Sequence, residues 1–181
     1  LEAGVRNVDV AATDIQGLMA LARTEQVDFT VVGPEAPLVL GAVDQFTAAG
    51  LPCFGPTQAA AQLEGSKAFS KDFMRRHNIP TAAYASFTDV AGATKHIQEN
   101  GAPIVVKADG LAAGKGVVVA QSEEEAIAAV EDMLSGNGFG EAGHKVVIEE
   151  FLQGEEASFI CLCDGKTAVP FASCLLYTSP S

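Results

Sequence analysis

A glycine-rich segment between two β-branched runs is the feature that most constrains how this chain can fold. The runs read IVVKA at residues 104–108 and VVVA at residues 117–120, and both compositions favour strands. A short connection that contains glycine allows two such strands to pair directly with each other. We therefore predict a hairpin of two antiparallel strands in the middle of the chain.

The connecting segment is similar to a phosphate-binding P-loop but departs from that motif in spacing and in context. A P-loop reads GxxxxGK, then Ser or Thr, and opens a helix. Here Gly110, Gly114 and Lys115 are spaced one residue too closely, and Gly116 and a strand follow. Such a hairpin can fold over an anion with its backbone N–H groups and one lysine, or it can be a flexible turn with a solvated lysine.

The N-terminal part of the chain shows a strand–helix–strand order. After a first helix capped by Thr13, the expected elements are a strand in residues 28–34, a helix over about residues 38–48 and a strand in residues 51–56. Gly50 is a suitable stop for the helix. This order predicts two parallel strands with a right-handed crossover, whose ligand-binding loops follow the carboxyl ends of the strands.

Two helices and a second module follow this unit. Ser66 is expected to cap the second of the helices at 58–63 and 67–77. The module begins near residue 82, and its expected elements are strand 83–87, helix 89–99, strands 104–108 and 117–120, helix 123–134 opened by a capping box of Ser122 and Glu125, strand 146–151, strand 157–163 and a hairpin turn at Asp164. The patterns predict an α/β region followed by an α+β region.

Composition excludes several classes of function. The 181 residues carry a formal net charge of −12, which argues against a nucleic-acid partner or an anionic membrane surface. No apolar run reaches the length of a membrane span and no signal peptide is visible, so we expect a cytoplasmic protein. The four cysteines form no CxxC pair and the three histidines are scattered, so neither residue type predicts a metal site.

Two lysines occupy positions that favour an anionic ligand. Lys107 lies inside an apolar strand, where an ammonium is costly unless it meets a charged partner, either a phosphate oxygen or an Asp or Glu. Lys67 lies in the first turn of a helix, where free N–H groups already attract anions. With Lys115 they give three cations, which suits a triphosphate.

An acidic segment, residues 147–158, follows the last long apolar strand. Its carboxylates and interposed Phe and Leu side chains could line a nucleoside slot, with a carboxylate accepting ribose hydroxyls. In a chain this acidic, the segment could equally be an exposed turn. Taken alone, the pattern leaves both interpretations open.

Several long motifs, in order, resemble the ATP-grasp superfamily and within it the phosphoribosylamine–glycine ligase family. The motifs are VVGPEAPLVLG, FGPTQAAAQLEGSKAFSKDFM, PIVVKADGLAAGKGVVVA and GFGEAGHKVVIEEFLQGEEASF, and the resemblance covers residues 5–172. It implies a partial parallel-sheet N-terminal (pre-ATP-grasp) domain followed by an incomplete ATP-grasp fold. The implied divisions are residues 1–65 for the N-terminal substrate domain, 66–80 for a helical connection, 81–150 for the ATP-grasp lid subdomain, 151–173 for the start of the C-terminal subdomain and 174–181 for a foreign or frame-shifted tail.

The resemblance also implies a reaction and a set of site residues. ATP would phosphorylate glycine, and 5-phosphoribosylamine would then attack the glycyl phosphate to give glycinamide ribonucleotide, a purine precursor. The ATP-binding residues implied are Lys67, Lys107, the loop residues Gly110, Gly114, Lys115 and Gly116, then Glu150 and Leu152 at adenine and Glu155 at the ribose. Gly33, Pro34 and Glu35 would belong to the phosphoribosylamine site.

Both ends of the sequence suggest a piece of a longer protein. The chain starts without Met, and CLLYTSPS at its end replaces the stretch with which the family continues. The family's ligands for Mg²⁺ or Mn²⁺ would lie beyond this chain, so we expect the chain by itself to be inactive. Alternatives are another ATP-grasp carboxylate–amine ligase or a non-catalytic ATP-binding module, and the sequence does not indicate an oligomeric state.

Overall fold

The structure is a computed structural model, and it describes residues 4–111, 116–135, 144–171 and 174–175. The chain divides into two compact units, Leu1–Glu150 and Phe151–Ser181. The helices of the first unit are α1 (Ile15–Thr24), α2 (Glu35–Val39), α3 (Ala42–Ala48), α4 (Gln58–Gly65), α5 (Lys67–Arg76), α6 (Val90–Asn100) and α7 (Glu123–Leu134). Its strands are β1 (Thr30–Val31), β2 (Cys53–Phe54), β3 (Tyr84–Phe87), β4 (Ile104–Ala108), β5 (Val117–Ala120) and β6 (Val146–Glu150).

The N-terminal part of the first unit contains a small parallel sheet. Strand β1 pairs in parallel with β2, which confirms the predicted parallel pairing. Helices α1 and α3 contribute the buried apolar cluster beside it, because their apolar residues recur at helical spacing. The buried members of this cluster are Ile15, Met19, Ala22, Ala42 and Phe46.

Two predictions for this region were wrong in detail. Asp14, and not Thr13, caps α1, since its Oδ1 accepts a hydrogen bond of 2.9 Å from the N–H of Gly17. The helix expected over residues 38–48 is divided into α2 and α3. Gly41 between them has φ of +80°, a left-handed conformation that interrupts a helix and that glycine adopts without a steric penalty.

Helices α4 and α5 begin at capping residues that precede them. The Thr57 hydroxyl accepts from the N–H of Ala60, and the Ser66 hydroxyl accepts from the N–H of Phe69 at 3.1 Å. The second contact confirms Ser66 as the cap of α5. It fixes the point at which α5 starts and therefore where Lys67 stands on it.

Four antiparallel strands in the order β3-β6-β4-β5 form the larger sheet. The predicted hairpin of β4 and β5 is confirmed, with Ile104 opposite Ala120 and Lys107 opposite Val117. At the loop end of the hairpin, the N–H of Ala108 donates to the carbonyl of Gly116 at 2.8 Å. The glycine segment therefore starts and ends at adjacent points of one sheet.

Helices α6 and α7 pack on one face of this sheet. Alternate residues of β4 and β6 meet them, and Val106, Val146 and Ile148 are fully buried there. Ser122 caps α7 by accepting from the N–H of Glu125 at 3.2 Å, as predicted. The Glu125 carboxylate reaches back to the N–H of Gln121 and not to that of the cap itself. The other face of the sheet is left for the cleft described below.

The second unit contains short antiparallel pairs. Strand β7 (Ala157–Ser158) pairs with β10 (Cys174–Leu175), and β8 (Cys161–Cys163) pairs with β9 (Ala168–Pro170). The run predicted as one strand over residues 157–163 is thus two strands. The predicted turn at Asp164 is confirmed, since its carboxylate accepts from the N–H groups of Lys166 and Thr167.

No helix in the described part of the chain combines the length and the apolar character that a bilayer crossing requires.

Candidate functional site

A cleft of about 800 Å³ opens in the first unit on the face of the sheet that α6 and α7 leave uncovered. That volume lies within the range of small-molecule binding sites. One wall comes from α5, one from the sheet and one from the segment that begins α2. The lining residues used below are Pro34, Glu35, Lys67, Lys71, Lys107, Gly110, Gly116 and Glu149.

Helix α5 presents one face to the cleft. Lys67, Ser70, Lys71 and Met74 are spaced by three and four residues and all line it. Because Lys67 is the first residue of α5, its side chain lies at the end where backbone N–H groups are free of helical partners. Two lysines of a single helix therefore line the cleft.

Lys67 is held against the start of the glycine segment. Its Nζ donates to the carbonyl oxygen of Gly110 at 2.7 Å. Burial lowers the pKa of the Lys67 ammonium, and the nearby charge of Lys107 lowers it further, while Asp109 opposes both effects. An anion at this point would compensate the lysine for the water that it has lost.

A buried carboxylate, Glu149, joins two lysines on the sheet side of the cleft. Its Oε2 lies 3.0 Å from the Nζ of Lys107 and 3.0 Å from the Nζ of Lys71. The sequence allowed Lys107 either a phosphate oxygen or an acidic side chain as its partner. The structure provides an acidic side chain, Glu149. The side chain of Glu149 is 7% exposed and that of Lys71 is 9% exposed, whereas that of Lys107 is 27% exposed. Lys107 is therefore the member of this trio that a ligand in the cleft can reach most easily.

The N-terminus of α5 already has an acidic partner within the chain. The Asp109 carboxylate accepts from the Ser66 hydroxyl, the N–H of Ala68 and the N–H of Gly110, at 3.0 to 3.1 Å. The free N–H groups that the sequence suggested for an outside anion are thus partly occupied. Asp109 instead ties the start of the glycine segment to α5, which brings Lys67 beside Gly110.

The glycine segment is described only at its two ends. Gly110 has φ of +91°, and both Gly110 and Gly116 line the cleft. Gly114 and Lys115, which the sequence assigned to ATP phosphates, lie outside the described residues. Their role stays a prediction.

The residues predicted for the phosphoribosylamine site are divided between two depressions. Pro34 and Glu35, at the start of α2, line the same cleft as Lys67 and Lys107. Gly33 instead lines an apolar groove of about 450 Å³ between α1 and β1, which Pro34 also borders. The structure therefore brings Pro34 and Glu35 together with the predicted ATP-binding lysines, but not Gly33.

The residues predicted at the nucleoside lie apart from this cleft or in the other unit. Glu150 ends β6, and its carboxylate accepts from the N–H of Ala83 at 3.2 Å. Leu152 and Glu155 belong to the second unit, where both are exposed. Their assignments to adenine and ribose stay predictions.

Within the part of the chain that the structure describes, no group of three or more His, Cys, Asp or Glu side chains could hold a metal ion. Glu149 and Asp109 are both engaged by ammonium, hydroxyl or N–H donors. The described residues of the cleft therefore do not fit the ligand set of a divalent metal ion.

Sequence reasoning missed Lys71, Glu149 and Asp109. The signal for Glu149 was available, because it is a charged residue inside an apolar strand-like run, just as Lys107 is. Lys71 follows Lys67 by one helical turn, which places both on one face. Their meeting depends on the pairing of β4 with β6, which is not a local property of the sequence.

Comparisons with known proteins agree with this architecture. Residues 65–178 match the family described as phosphoribosylglycinamide synthetase, ATP-grasp (A) domain, and residues 1–64 match the N domain of the same enzyme. Phosphoribosylamine–glycine ligases from Yersinia pestis and Vibrio vulnificus are 64% and 65% identical over 173 residues. That alignment covers 96% of this chain and 40% of each relative, so the chain spans less than half of their length.

Solved structures show the same fold. The crystal structure of a phosphoribosylamine–glycine ligase from Thermotoga maritima matches with a TM-score of 0.67 and 31% identity, over 79% of this chain and 34% of that one. The biotin carboxylase domain of the Hydrogenobacter thermophilus 2-oxoglutarate carboxylase matches with a TM-score of 0.74 and 20% identity, over 92% of this chain and 39% of that one. The second likeness supports the fold alone.

The four-stranded sheet, its helices on one face and the lysine-lined cleft on the other thus form part of an ATP-grasp fold, preceded by a small parallel α/β region. Both parts of the fold expected from the sequence are confirmed. Within that class, the chain belongs to the phosphoribosylglycinamide synthetase family.

Proposed function

We propose that this chain supplies the ATP-binding cleft and part of the substrate site of a phosphoribosylamine–glycine ligase. In that reaction a carboxylate oxygen of glycine attacks the γ-phosphorus of ATP, and ADP leaves. The amine of 5-phosphoribosylamine then attacks the carbonyl carbon of the glycyl phosphate and loses a proton, and inorganic phosphate leaves. The products are glycinamide ribonucleotide, ADP and phosphate, in purine biosynthesis.

One observation carries the proposal: residues assigned to ATP and residues assigned to phosphoribosylamine line a single cleft. Lys67, Lys107 and Gly110 lie on its α5 and sheet walls, and Pro34 and Glu35 lie at its α2 end. A phosphoryl transfer followed by acyl transfer requires both substrates in one enclosed space, because holding the reacting groups together removes much of the entropic barrier. The names of the Yersinia and Vibrio relatives support this choice of substrates.

The lysines suit the first step, in which negative charge shifts onto the leaving ADP. Fixed cations placed beside the phosphates stabilise that charge without reorganising during the reaction. We assign Lys67 and Lys107 to the phosphates, with Lys115 and the glycines at 110, 114 and 116 closing over them.

The remaining assignments follow the family resemblance. Glu150 and Leu152 are proposed to face adenine and Glu155 the ribose, with Gly33, Pro34 and Glu35 at phosphoribosylamine. A divalent ion, Mg²⁺ or Mn²⁺, would neutralise phosphate charge when bound, and its ligands are proposed to lie outside this chain. The proposed partners are these small molecules, and the proposed location is the cytoplasm.

Nucleotide binding by the purified chain tests the first half of the proposal. We expect isothermal titration calorimetry to detect ATP binding that is clearly tighter than binding of adenosine, because the assigned lysines contact phosphates. Equal heats for ATP, adenosine and buffer would contradict the assignment of this cleft to ATP.

A chimera tests the second half. Residues 1–173 of this chain would replace the corresponding part of the Yersinia pestis relative, and ADP release would be measured with and without glycine and 5-phosphoribosylamine. We expect release that needs both substrates, whereas the 181-residue chain alone is expected to show none. A folded chimera that binds ATP but lacks substrate-dependent release would contradict the assigned reaction, as would release by the chain alone.

A further inference from the structure

Lys71 is a charged residue of the cleft to which the proposed reaction assigns no role. It stands on α5 one turn after Lys67, and its side chain is 9% exposed. Such deep burial of an ammonium requires compensation by charge and hydrogen bonding. The contacts of Lys71 therefore indicate what it does.

The contacts of the Lys71 ammonium are with other side chains of the protein. The Nζ of Lys71 is 3.0 Å from Oε2 of Glu149 and donates to the Thr81 hydroxyl at 2.8 Å. It also lies 5.9 Å from the centre of the Tyr84 ring, within the range of a cation–π contact. Lys71 is thus held by partners of its own and is less exposed than Lys107.

Glu149 faces two ammonium groups with one negative charge. The same oxygen, Oε2, meets Lys71 and Lys107 at equal distances, so the trio carries a net charge of one positive unit. Because Lys107 is 27% exposed and Lys71 is 9% exposed, the excess charge is presented on the cleft side by Lys107. If Lys71 were absent, Glu149 would neutralise Lys107 alone.

We propose that Lys71 is a positioning residue that occupies Glu149 and so leaves the positive charge of Lys107 available to an anionic ligand. The inference rests on the proposed function only in taking the ligand of the cleft to carry phosphate groups. Lys71 acts through Glu149 and makes no contact with the ligand. Glu149 in turn holds the Lys107 side chain in place without cancelling its charge.

Inorganic tripolyphosphate is the suitable probe, because it carries the charge of a nucleotide tail without a base or ribose. Calorimetric titration would compare the wild-type chain with Lys71→Met, Glu149→Gln and the double variant. Lys95→Met is the matched control, since Lys95 is 78% exposed on α6 and its partner is Glu99.

The two single variants are expected to change the tripolyphosphate affinity in opposite directions. Lys71→Met should weaken tripolyphosphate binding about fivefold, the scale for loss of one charge at short range in a partly solvated site. Glu149→Gln should strengthen binding. The double variant should return to within about twofold of the wild type, because the net charge of the trio is again one positive unit. Lys95→Met should leave the affinity unchanged.

Other outcomes overturn the inference. A double variant as weak as Lys71→Met would show that Lys71 contacts the anion itself, and weaker binding by Glu149→Gln would show a merely structural role. If Lys71→Met does not fold, the inference is still tested by Glu149→Gln, which should bind more tightly than the wild type, and by the double variant, which should bind about as tightly as the wild type. No tripolyphosphate binding by the wild type would also overturn it, whereas binding of tripolyphosphate with no preference for ATP over tripolyphosphate would contradict the proposed function alone.

Discussion

The two faces of the four-stranded sheet differ in chemistry, although the same strands build both. On β4 and β6, Val106 and Ile148 point into a dry core beneath α6 and α7. Their immediate neighbours Lys107 and Glu149 point the other way and form an ion pair beside the cleft. Because side chains alternate along a strand, one face of the sheet buries apolar residues, whereas the other carries Lys107 and Glu149 among valines.

This arrangement separates stability from binding. Residues of the core face contribute buried apolar area, which dominates folding free energy. The ion pair on the cleft face contributes little net free energy to folding, because desolvation offsets attraction. Substitutions on adjacent residues of one strand should therefore have different consequences, and the predictions below test that separation in order of expected effect.

Ile148→Ala on the core face should have the largest effect. Ile148 is fully buried, and truncation of such a residue costs about 2–5 kcal/mol, since a cavity remains. Urea unfolding of the purified chain would measure the loss, and tripolyphosphate affinity of the fraction that stays folded should not change. An unaltered unfolding midpoint would contradict the assignment of Ile148 to the core.

Lys107→Met on the cleft face should weaken ligand binding and leave the stability of the fold nearly unchanged. The variant removes a cation assigned to the phosphates, so ATP affinity should fall about tenfold to a hundredfold, the range for a hydrogen bond to a charged group. Glu149 keeps Lys71 as its partner, so the unfolding midpoint should move little. A large loss of stability with unchanged ATP affinity would contradict the separation of stability and binding between the two faces.

The parts of the fold that could be predicted are those with strong local patterns. The bounds of β4, β5 and α7 agree with the prediction, because β-branched runs and a capped helix identify them within a few residues. The break at Gly41 was missed, since the apolar pattern does not show that this glycine adopts a left-handed conformation. Choosing Asp14 over Thr13 as a cap likewise depended on backbone geometry that two adjacent polar residues leave open.

The site was predictable only one residue at a time. Lys67, Lys107, Pro34 and Glu35 could each be selected from a local rule about helix starts, apolar strands or strand ends. Their convergence in one cleft, and the role of Glu149 between two lysines, require the register of β4 against β6. That register is set by pairing over more than forty residues of sequence, as the 42-residue separation of Lys107 and Glu149 shows.

The pH dependence of binding provides a third, smaller test on the cleft face. Burial lowers the pKa of Lys67, so its ammonium loses its proton at a lower pH than an ordinary lysine does. The tripolyphosphate affinity of the wild type, relative to that of Lys67→Arg, should be constant below that pKa and should fall above it, by up to about tenfold per pH unit. Titrations between neutral and alkaline pH would show this, and Lys67→Arg should keep its affinity, because Arg stays charged.

The same group affects folding in the opposite sense. A lysine whose pKa is lowered by folding opposes folding while it is charged in both states, and this opposition disappears as pH rises from the folded to the unfolded pKa. The Lys67 contribution to stability should therefore improve over the pH range in which binding weakens. If the tripolyphosphate affinity and the free energy of unfolding both fell with rising pH, and fell equally in Lys67→Arg, the assignment of the effect to Lys67 would be contradicted.

Ser122→Ala should have the smallest effect, and it should lower the stability of the fold without changing anion binding. The Ser122 hydroxyl accepts from the N–H of Glu125 at 3.2 Å, and loss of such a cap costs about 1 kcal/mol. Since α7 packs on the face opposite the cleft, tripolyphosphate affinity should stay unchanged while the urea midpoint falls. Gln121→Ala is the matched control, because it removes an exposed neighbouring side chain but keeps the backbone N–H that donates to Glu125. A loss of anion affinity in Ser122→Ala, with Gln121→Ala unaffected, would mean that the two faces are coupled and that helix packing sets the geometry of the lysines.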